Sequence, residues 1–208
     1  MKLSINQQFI RAVQNKRFTD LKYFLSQGAE IHTDYDHALR WSAHNDCLEI
    51  VKFLITQGAD IHAFDEEALR WSARYGYFKI VETLVTHGAN IHANDDEALI
   101  WSAKDGHLEI VKFLIEHGAN IHANNDEALK AAELNLHHDA WKVLSAFIQK
   151  EKLVLAAVES MPLVAAVASM PVLAAVGSTG SMLPEISSGE SVSKKPQPTR
   201  KKSLRQKI

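Results

Sequence analysis

The chain spells out nearly the same sentence three times, 30 residues apart. The copies are "HALRWSAHNDCLEIVKFLITQGADIHA" (His37–Ala63), "EALRWSARYGYFKIVETLVTHGANIHA" (Glu67–Ala93) and "EALIWSAKDGHLEIVKFLIEHGANIHA" (Glu97–Ala123). A fixed period of this length constrains the fold more than any single motif. One unit of about 30 residues cannot bury its own apolar face, so neighbours must stack and share a continuous core. Looser copies flank the three: "FIRAVQNKRFTDLKYFLSQGAEIHT" (Phe9–Thr33) aligns without a gap, and "ALKAAELNLHHDAWKVLSAF" (Ala128–Phe147) keeps the apolar positions but loses the Gly-Ala ending. Atypical end units are expected, because each end of a stack faces water.

Within a unit the pattern predicts two helices. Leu99, Ser102 and Ala103 place small or apolar side chains on one stripe, with Asp95 or Asp96 as N-cap. After Asp105-Gly106, the positions Leu108, Val111, Leu114 and Ile115 give a second helix with one apolar face. Gly118 ends it, as Gly28, Gly58 and Gly88 do in the other units. A short extended return, such as "ANIHAND" (Ala89–Asp95), leads to the next helix. The expected unit is helix, turn, helix, return.

These residues resemble the ankyrin repeat. "GHLEIVKFLIEHGANIHA" (Gly106–Ala123) is similar to the second helix and return of that family, and "EALIWSA" (Glu97–Ala103) stands where the family has "TPLHLAA". The spelling "DEALRWSA" with a 30-residue unit resembles ankyrin proteins of mimivirus-type giant viruses. The resemblance covers roughly residues 3–148. It implies an all-α ankyrin-repeat solenoid of about five units over 3–150. It also implies a non-enzymatic scaffold that binds a partner protein, a host protein in the viral case, through its concave face. Two departures stand out. Only Phe64, Asp65, Glu66 and Glu67 lie between Ala63 and Ala68, so the family's projecting hairpin should be shortened. The Thr-Pro pair opening the first helix is also replaced by Glu-Ala or His-Ala.

The totals fit this reading. Residues 1–150 carry 15 Lys and Arg against 21 Asp and Glu, a net −6, while residues 184–208 carry 7 against 2, a net +5. An acidic body with a basic tail points to two parts with different partners, and no nucleic acid is expected on the body. The single cysteine, Cys47, rules out an internal disulfide framework and fits a reducing, cytoplasmic setting. The first residues show no apolar signal-peptide core. No phosphate-binding glycine loop, nucleophile elbow or zinc-protease helix is present, and no enzyme activity or cofactor is expected.

Two ladders invite chemical readings. Trp41, Trp71 and Trp101 recur at one place per unit. A row of Trp could bind a ligand, but packing in the seam between first helices is the expected role. His32, His62, His92 and His122 form a second ladder. Zinc needs ligand nitrogens about 2.0–2.1 Å from the metal, while neighbouring rungs lie about 8–10 Å apart, so a structural role is expected and no metal site. The cluster "LHHD" (Leu136–Asp139) is isolated.

Positions that differ between otherwise identical copies mark the expected solvent-facing surface. They gather at the end of the first helix (His44, Asn45, Arg74, Tyr75, Lys104, Asp105), at its fourth residue (Arg70, Ile100) and in the return (Phe64). The resemblance places such positions on the concave binding face. With Tyr77, Arg74, Tyr75 and Phe64 make an aromatic and cationic patch, the composition typical of interface anchors. A monomer is expected.

After Lys150 the repeat gives way to a nine-residue near-repeat, "LVLAAVESM", "PLVAAVASM", "PVLAAVGST" (Leu153–Thr179). The first piece is expected to extend the last helix until Pro162 ends it. Leu153–Val176 is long enough to span a bilayer, but Glu159, two prolines and an Ala/Val composition argue against an anchor. Residues 151–183 are therefore read as a low-complexity segment, the alternative being an adaptor or membrane-tethering module. Residues 184–208 are read as a basic disordered tail, with "KKPQPTRKK" (Lys194–Lys202) a nuclear-import candidate.

Overall fold

The computed structural model describes residues 3–159. Among them are ten helices and no strand: α1 (Ile5–Gln14), α2 (Phe18–Ser26), α3 (His37–His44), α4 (Leu48–Thr56), α5 (Ala63–Arg74), α6 (Phe78–Thr86), α7 (Ala93–Lys104), α8 (Leu108–Glu116), α9 (Ala123–Leu134) and α10 (His138–Glu159). They pair within each unit as α1/α2 through α9/α10. Odd-numbered helices touch the next odd-numbered helix, and α4, α6, α8 and α10 touch in sequence. The result is two layers of helices with the core between them. First helices supply Leu39, Leu69 and Leu99, and second helices supply Leu54, Leu84 and Leu114, all inaccessible or nearly so. The small residue before the inner Ala is Ser42, Ser72 or Ser102. Each is buried, and its hydroxyl donates to a backbone carbonyl of its own helix at 2.7 to 2.9 Å. The polar atom therefore enters the core satisfied.

The returns are not extended. Residues 34–36, 64–66, 94–96 and 124–126 all have φ between +49 and +62, which makes each return one turn of left-handed backbone. This compact turn replaces a projecting hairpin, and it is costly, about 1–2 kcal/mol per residue for residues other than Gly, Asn or Asp. Tyr35, Phe64 and Glu66 are such residues.

A buried carboxylate holds each of the first three turns. Asp36, Glu66 and Asp96 are 4% exposed. Each bonds Nδ1 of the histidine four residues earlier: His32–Asp36 at 3.0 Å, His62–Glu66 at 2.6 Å and His92–Asp96 at 3.1 Å. Each also accepts the backbone N–H found 24 residues later in the following unit, from Asp60 at 2.9 Å, Asn90 at 3.2 Å and Asn120 at 2.8 Å. Asn6 plays this part in the first unit, accepting from Glu30 at 2.9 Å. The acids expected to cap the first helices thus do something else: Asp36 is left-handed and makes no side-chain capping bond. Glu66 is one methylene longer than its counterparts, and its Oε2 is buried without a hydrogen-bond partner among the described residues.

The last unit departs from the others. α10 continues through residue 150, where the repeat pattern stops, to Glu159, and exposes Leu153, Val154, Leu155 and Val158. His122 there bonds Asp126 and, through Nε2, Glu151 at 2.9 Å. Among the described residues no helix is long and apolar enough to cross a membrane. Pro162, most of the nine-residue near-repeat and the basic tail lie outside the described residues.

Candidate functional site: the face of the first helices

The site is built on the exposed side of α3, α5 and α7. Arg40 and Arg70 come first, one turn into their helices. Nε and Nη2 of Arg40 donate to the carbonyls of Tyr35 and Asp34, both at 3.0 Å, and Nη1 pairs with Glu67 of the next unit. Arg70 repeats the arrangement with Asp65 at 2.8 Å, Phe64 at 3.0 Å and Glu97. These guanidiniums cap the left-handed turns and tie each unit to its successor. Burial pulls the Glu67 carboxyl upward. The hydrogen bonds from Arg40 and Trp71, with the charges of Arg40 and Arg70, outweigh that and hold it below the usual carboxylate range.

The tryptophans lie between neighbouring first helices and are open on one side. Trp41, Trp71 and Trp101 are all half-buried. The Trp71 and Trp101 rings meet edge-on at 5.6 Å, and Trp71 Nε1 donates to Glu67 at 3.2 Å. Trp71 also stacks on Tyr75, with centroids 5.6 Å apart and planes within 13°. The imidazole of His44 meets Trp71 at 5.1 Å and Tyr75 at 4.9 Å, and Tyr77 lies 5.9 Å beyond Tyr75. The packing role expected of Trp is only half the account, because the same rings form a surface wall. Beside it, between α3 and α5, is a cleft of about 340 Å³ lined by His37, Arg40, Trp41, His44, Asn45, Glu67 and Trp71.

Arg74 stands at the far edge of the wall. Its guanidinium carbon sits 3.8 Å from the Trp101 ring centroid and 5.0 Å from that of Trp71. Its nearest carboxylate, Asp105, is 3.9 Å away, beyond hydrogen-bonding distance. The local backbone depends on glycine. Gly76 has φ +79, and a Cβ there would lie 2.6 Å from the ring of His107, whose Nε2 donates to the Arg74 carbonyl at 2.8 Å. Gly106 receives His137 in the same way.

The residues singled out by sequence divide into four groups. His44, Asn45, Arg74, Tyr75, Tyr77, Lys104 and Asp105 gather around the ends of the first helices. Tyr75 is 42% exposed, and Asn45 closes α3 with a bond from Nδ2 to the Trp41 carbonyl at 2.8 Å. Phe64 projects from a return turn, 53% exposed, where Tyr35 meets it edge-on at 5.5 Å and Arg40 lies 4.2 Å from its centroid. Arg70 makes the internal contacts described above. Ile100 requires correction: it is 8% exposed and belongs to the core. An isoleucine at this position has no N–H donors to cap the carbonyls of the return, and it packs inward.

Comparing copies missed two kinds of residue. The tryptophans are invariant, so they carry no difference signal. Leu134, 84% exposed, holds the register of His44, Arg74 and Lys104 but lies in the degenerate last unit.

A family model for Ankyrin repeats (3 copies) matches residues 9–95 and 87–152, well over half of the 208 residues. The chain belongs to the ankyrin-repeat family. Ankyrin repeats are protein–protein interaction modules, and the family is one of non-enzymatic scaffolds. No curated protein matches the chain. In this ankyrin array the returns at 34–36, 64–66, 94–96 and 124–126 are left-handed turns, and the aromatic wall stands on the first helices beside them.

Proposed function

We propose that this ankyrin array is a non-enzymatic scaffold that holds a partner protein against the face of its first helices. The observation that carries this reading is the wall of His44, Trp71, Tyr75 and Tyr77 beside Arg74. Its rings are partly exposed, and the guanidinium donates no hydrogen bond among the described residues. Aromatic rings with an adjacent arginine are the side chains in which interface energy concentrates. The mechanism is rigid presentation: the stack holds the rings in place before the partner arrives, so little ordering cost falls on binding. Tyr75→Ala tests it. The variant should keep the parent's unfolding midpoint and lose at least tenfold in affinity for a partner isolated on the full chain. Unchanged affinity would remove this face from the interface.

The resemblance to giant-virus ankyrin proteins makes a host protein in the cytoplasm the expected partner. Import through Lys194–Lys202 is the alternative location, read out by deleting residues 191–208 and imaging the chain. A second reading, an adaptor or membrane-tethered recruiter, draws on the exposed Leu153, Val154, Leu155 and Val158 of α10. If a chain ending at Lys150 recovers the same partners as the full chain, that reading fails.

A further inference from the structure

We infer that the segment recognised by this face is an extended acidic one, with an aromatic or large apolar residue about three positions from its carboxylate. The inference rests on the first-helix reading above and specifies the chemistry of the partner.

The charges of the face are not equivalent. Arg40 and Arg70 each donate to two backbone carbonyls and one carboxylate, so their donors are engaged within the stack. Glu67 and Glu97 are the carboxylates they neutralise. Arg74 differs. Its guanidinium is held over the Trp101 ring at 3.8 Å and makes no hydrogen bond among the described residues. Asp105, at 3.9 Å, is 40% exposed and does not close the contact. An arginine whose guanidinium rests over an aromatic ring keeps N–H donors for other partners, and its planar fork can bind a carboxylate with two parallel hydrogen bonds. Lys104 occupies the same register one unit on, exposed and without an ion pair among the described residues. The body is acidic overall, so Arg74 and Lys104, in the same register of successive units and neither hydrogen-bonded to a carboxylate among the described residues, are a local departure from its field.

The apolar requirement follows from the neighbours. The wall of His44, Trp71, Tyr75 and Tyr77 lies on one side of the two cations, and Leu134, 84% exposed in the same register, lies on the other. First helices pack about 8–10 Å apart, and an extended chain in the polyproline II form advances about 3.1 Å per residue with three residues per turn, so side chains three apart share one face. Three residues of an extended segment therefore cross roughly one unit. A side chain on the wall and a carboxylate between Arg74 and Lys104 are separated by about three residues. A second apolar residue about three further on shares that face and extends toward Leu134. Either chain direction satisfies this spacing.

The test is to pan a random nonapeptide phage library on the full chain and to measure the selected peptides, made synthetically with a fluorophore, by anisotropy at low and high salt. Supporting results are an Asp or Glu three positions from an aromatic or large apolar residue, and at least a tenfold loss of affinity in Lys104→Glu and Arg74→Glu. Recovery when the peptide acid is exchanged for Lys, and weakening with salt, complete the support. Lys104→Glu removes no contact seen among the described residues, so it decides the matter should Arg74→Glu fail to fold. Selected peptides without an acid, or indifferent to both charge reversals, overturn the inference. If those peptides still lose binding in Tyr75→Ala, the first-helix reading stands without its acidic specificity. If Tyr75→Ala has no effect either, both fall. Absence of any enriched sequence overturns the extended segment.

Discussion

The two ends of each first helix have diverged to different degrees. At the start, residues 36, 66, 96 and 126 are all carboxylates, preceded four residues earlier by histidine in every case. At the finish, the equivalent residues are His44, Arg74, Lys104 and Leu134. The structure explains the contrast. The acids at 36, 66 and 96 are buried and each accepts a backbone N–H from the return 24 residues on, so each copy is constrained by its neighbour. The finishing residue projects beyond the seam and meets solvent. Uniformity marks coupling between units, and variety marks the surface open to partners.

Removing a coupling acid should therefore have the largest effect on stability. Asp96→Ala leaves the Asn120 N–H and the His92 ring without their shared acceptor and frees a left-handed turn. Loss of a charged hydrogen-bond acceptor at a buried site costs about 2–3 kcal/mol, measurable by urea unfolding. Asp96→Asn should recover most of it, since Asn6 does the same work in the first unit. Asp126→Ala should cost far less, because Asp126 is 41% exposed and the residue 24 positions on, Lys150, lies inside α10 instead of in a return. Equal losses at 96 and 126 would mean that coupling to the next unit contributes nothing.

Glycine at the finish of α5 comes next. Gly76→Ala adds a Cβ in the left-handed region and within 2.6 Å of the His107 ring, at a cost of about 2 kcal/mol. His107→Ala in the same chain should relieve the steric part of that loss. Trp71→Ala ranks below it. A buried Trp would cost about 3–5 kcal/mol, but Trp71 is half-buried, so about 1–2 kcal/mol is expected. A loss above 3 kcal/mol in thermal or urea unfolding would make the ring a core residue and weaken its place in the binding wall.

The fold was legible because stacking imposes its own period on the sequence. Helix pairs, glycine ends and looser terminal units all follow from one apolar pattern repeated at 30 residues. The returns were not legible. Local propensity alone argues against three consecutive left-handed residues at Phe64, Asp65 and Glu66, and the bonds that stabilise them come from Arg70 and from Asn90 in the next unit. The site was half legible. Differences between copies found His44, Arg74 and Tyr75, but Ile100 also differs, because an isoleucine in place of arginine changes the burial of the position as well as its chemistry. Trp71 does not differ, since one face of its ring packs while another is exposed.

The smallest effect predicted is on pH dependence, and it separates the histidine ladder from the surface around it. The hydrogen bond to Glu66 raises the His62 pKa above its ordinary value. Burial opposes this, and the charges of Glu66 and Asp60 reinforce it. A group with a raised folded-state pKa stabilises the protein fully below its unfolded pKa, near 6.5, and loses that contribution as pH rises through the folded value. Stability at pH 6 should therefore exceed stability at pH 8, by a small amount because the His62 side chain is 57% exposed. His62→Gln keeps a donor for Glu66 but no titrating ring, and should flatten this part of the profile in urea unfolding across that range. His122 is raised by Asp126 and then by Glu151, so His122→Gln should remove a similar share. A profile that keeps its slope in the double variant would show that His62 and His122 titrate without coupling to folding, and that Glu66 holds its left-handed turn through the Asn90 N–H alone.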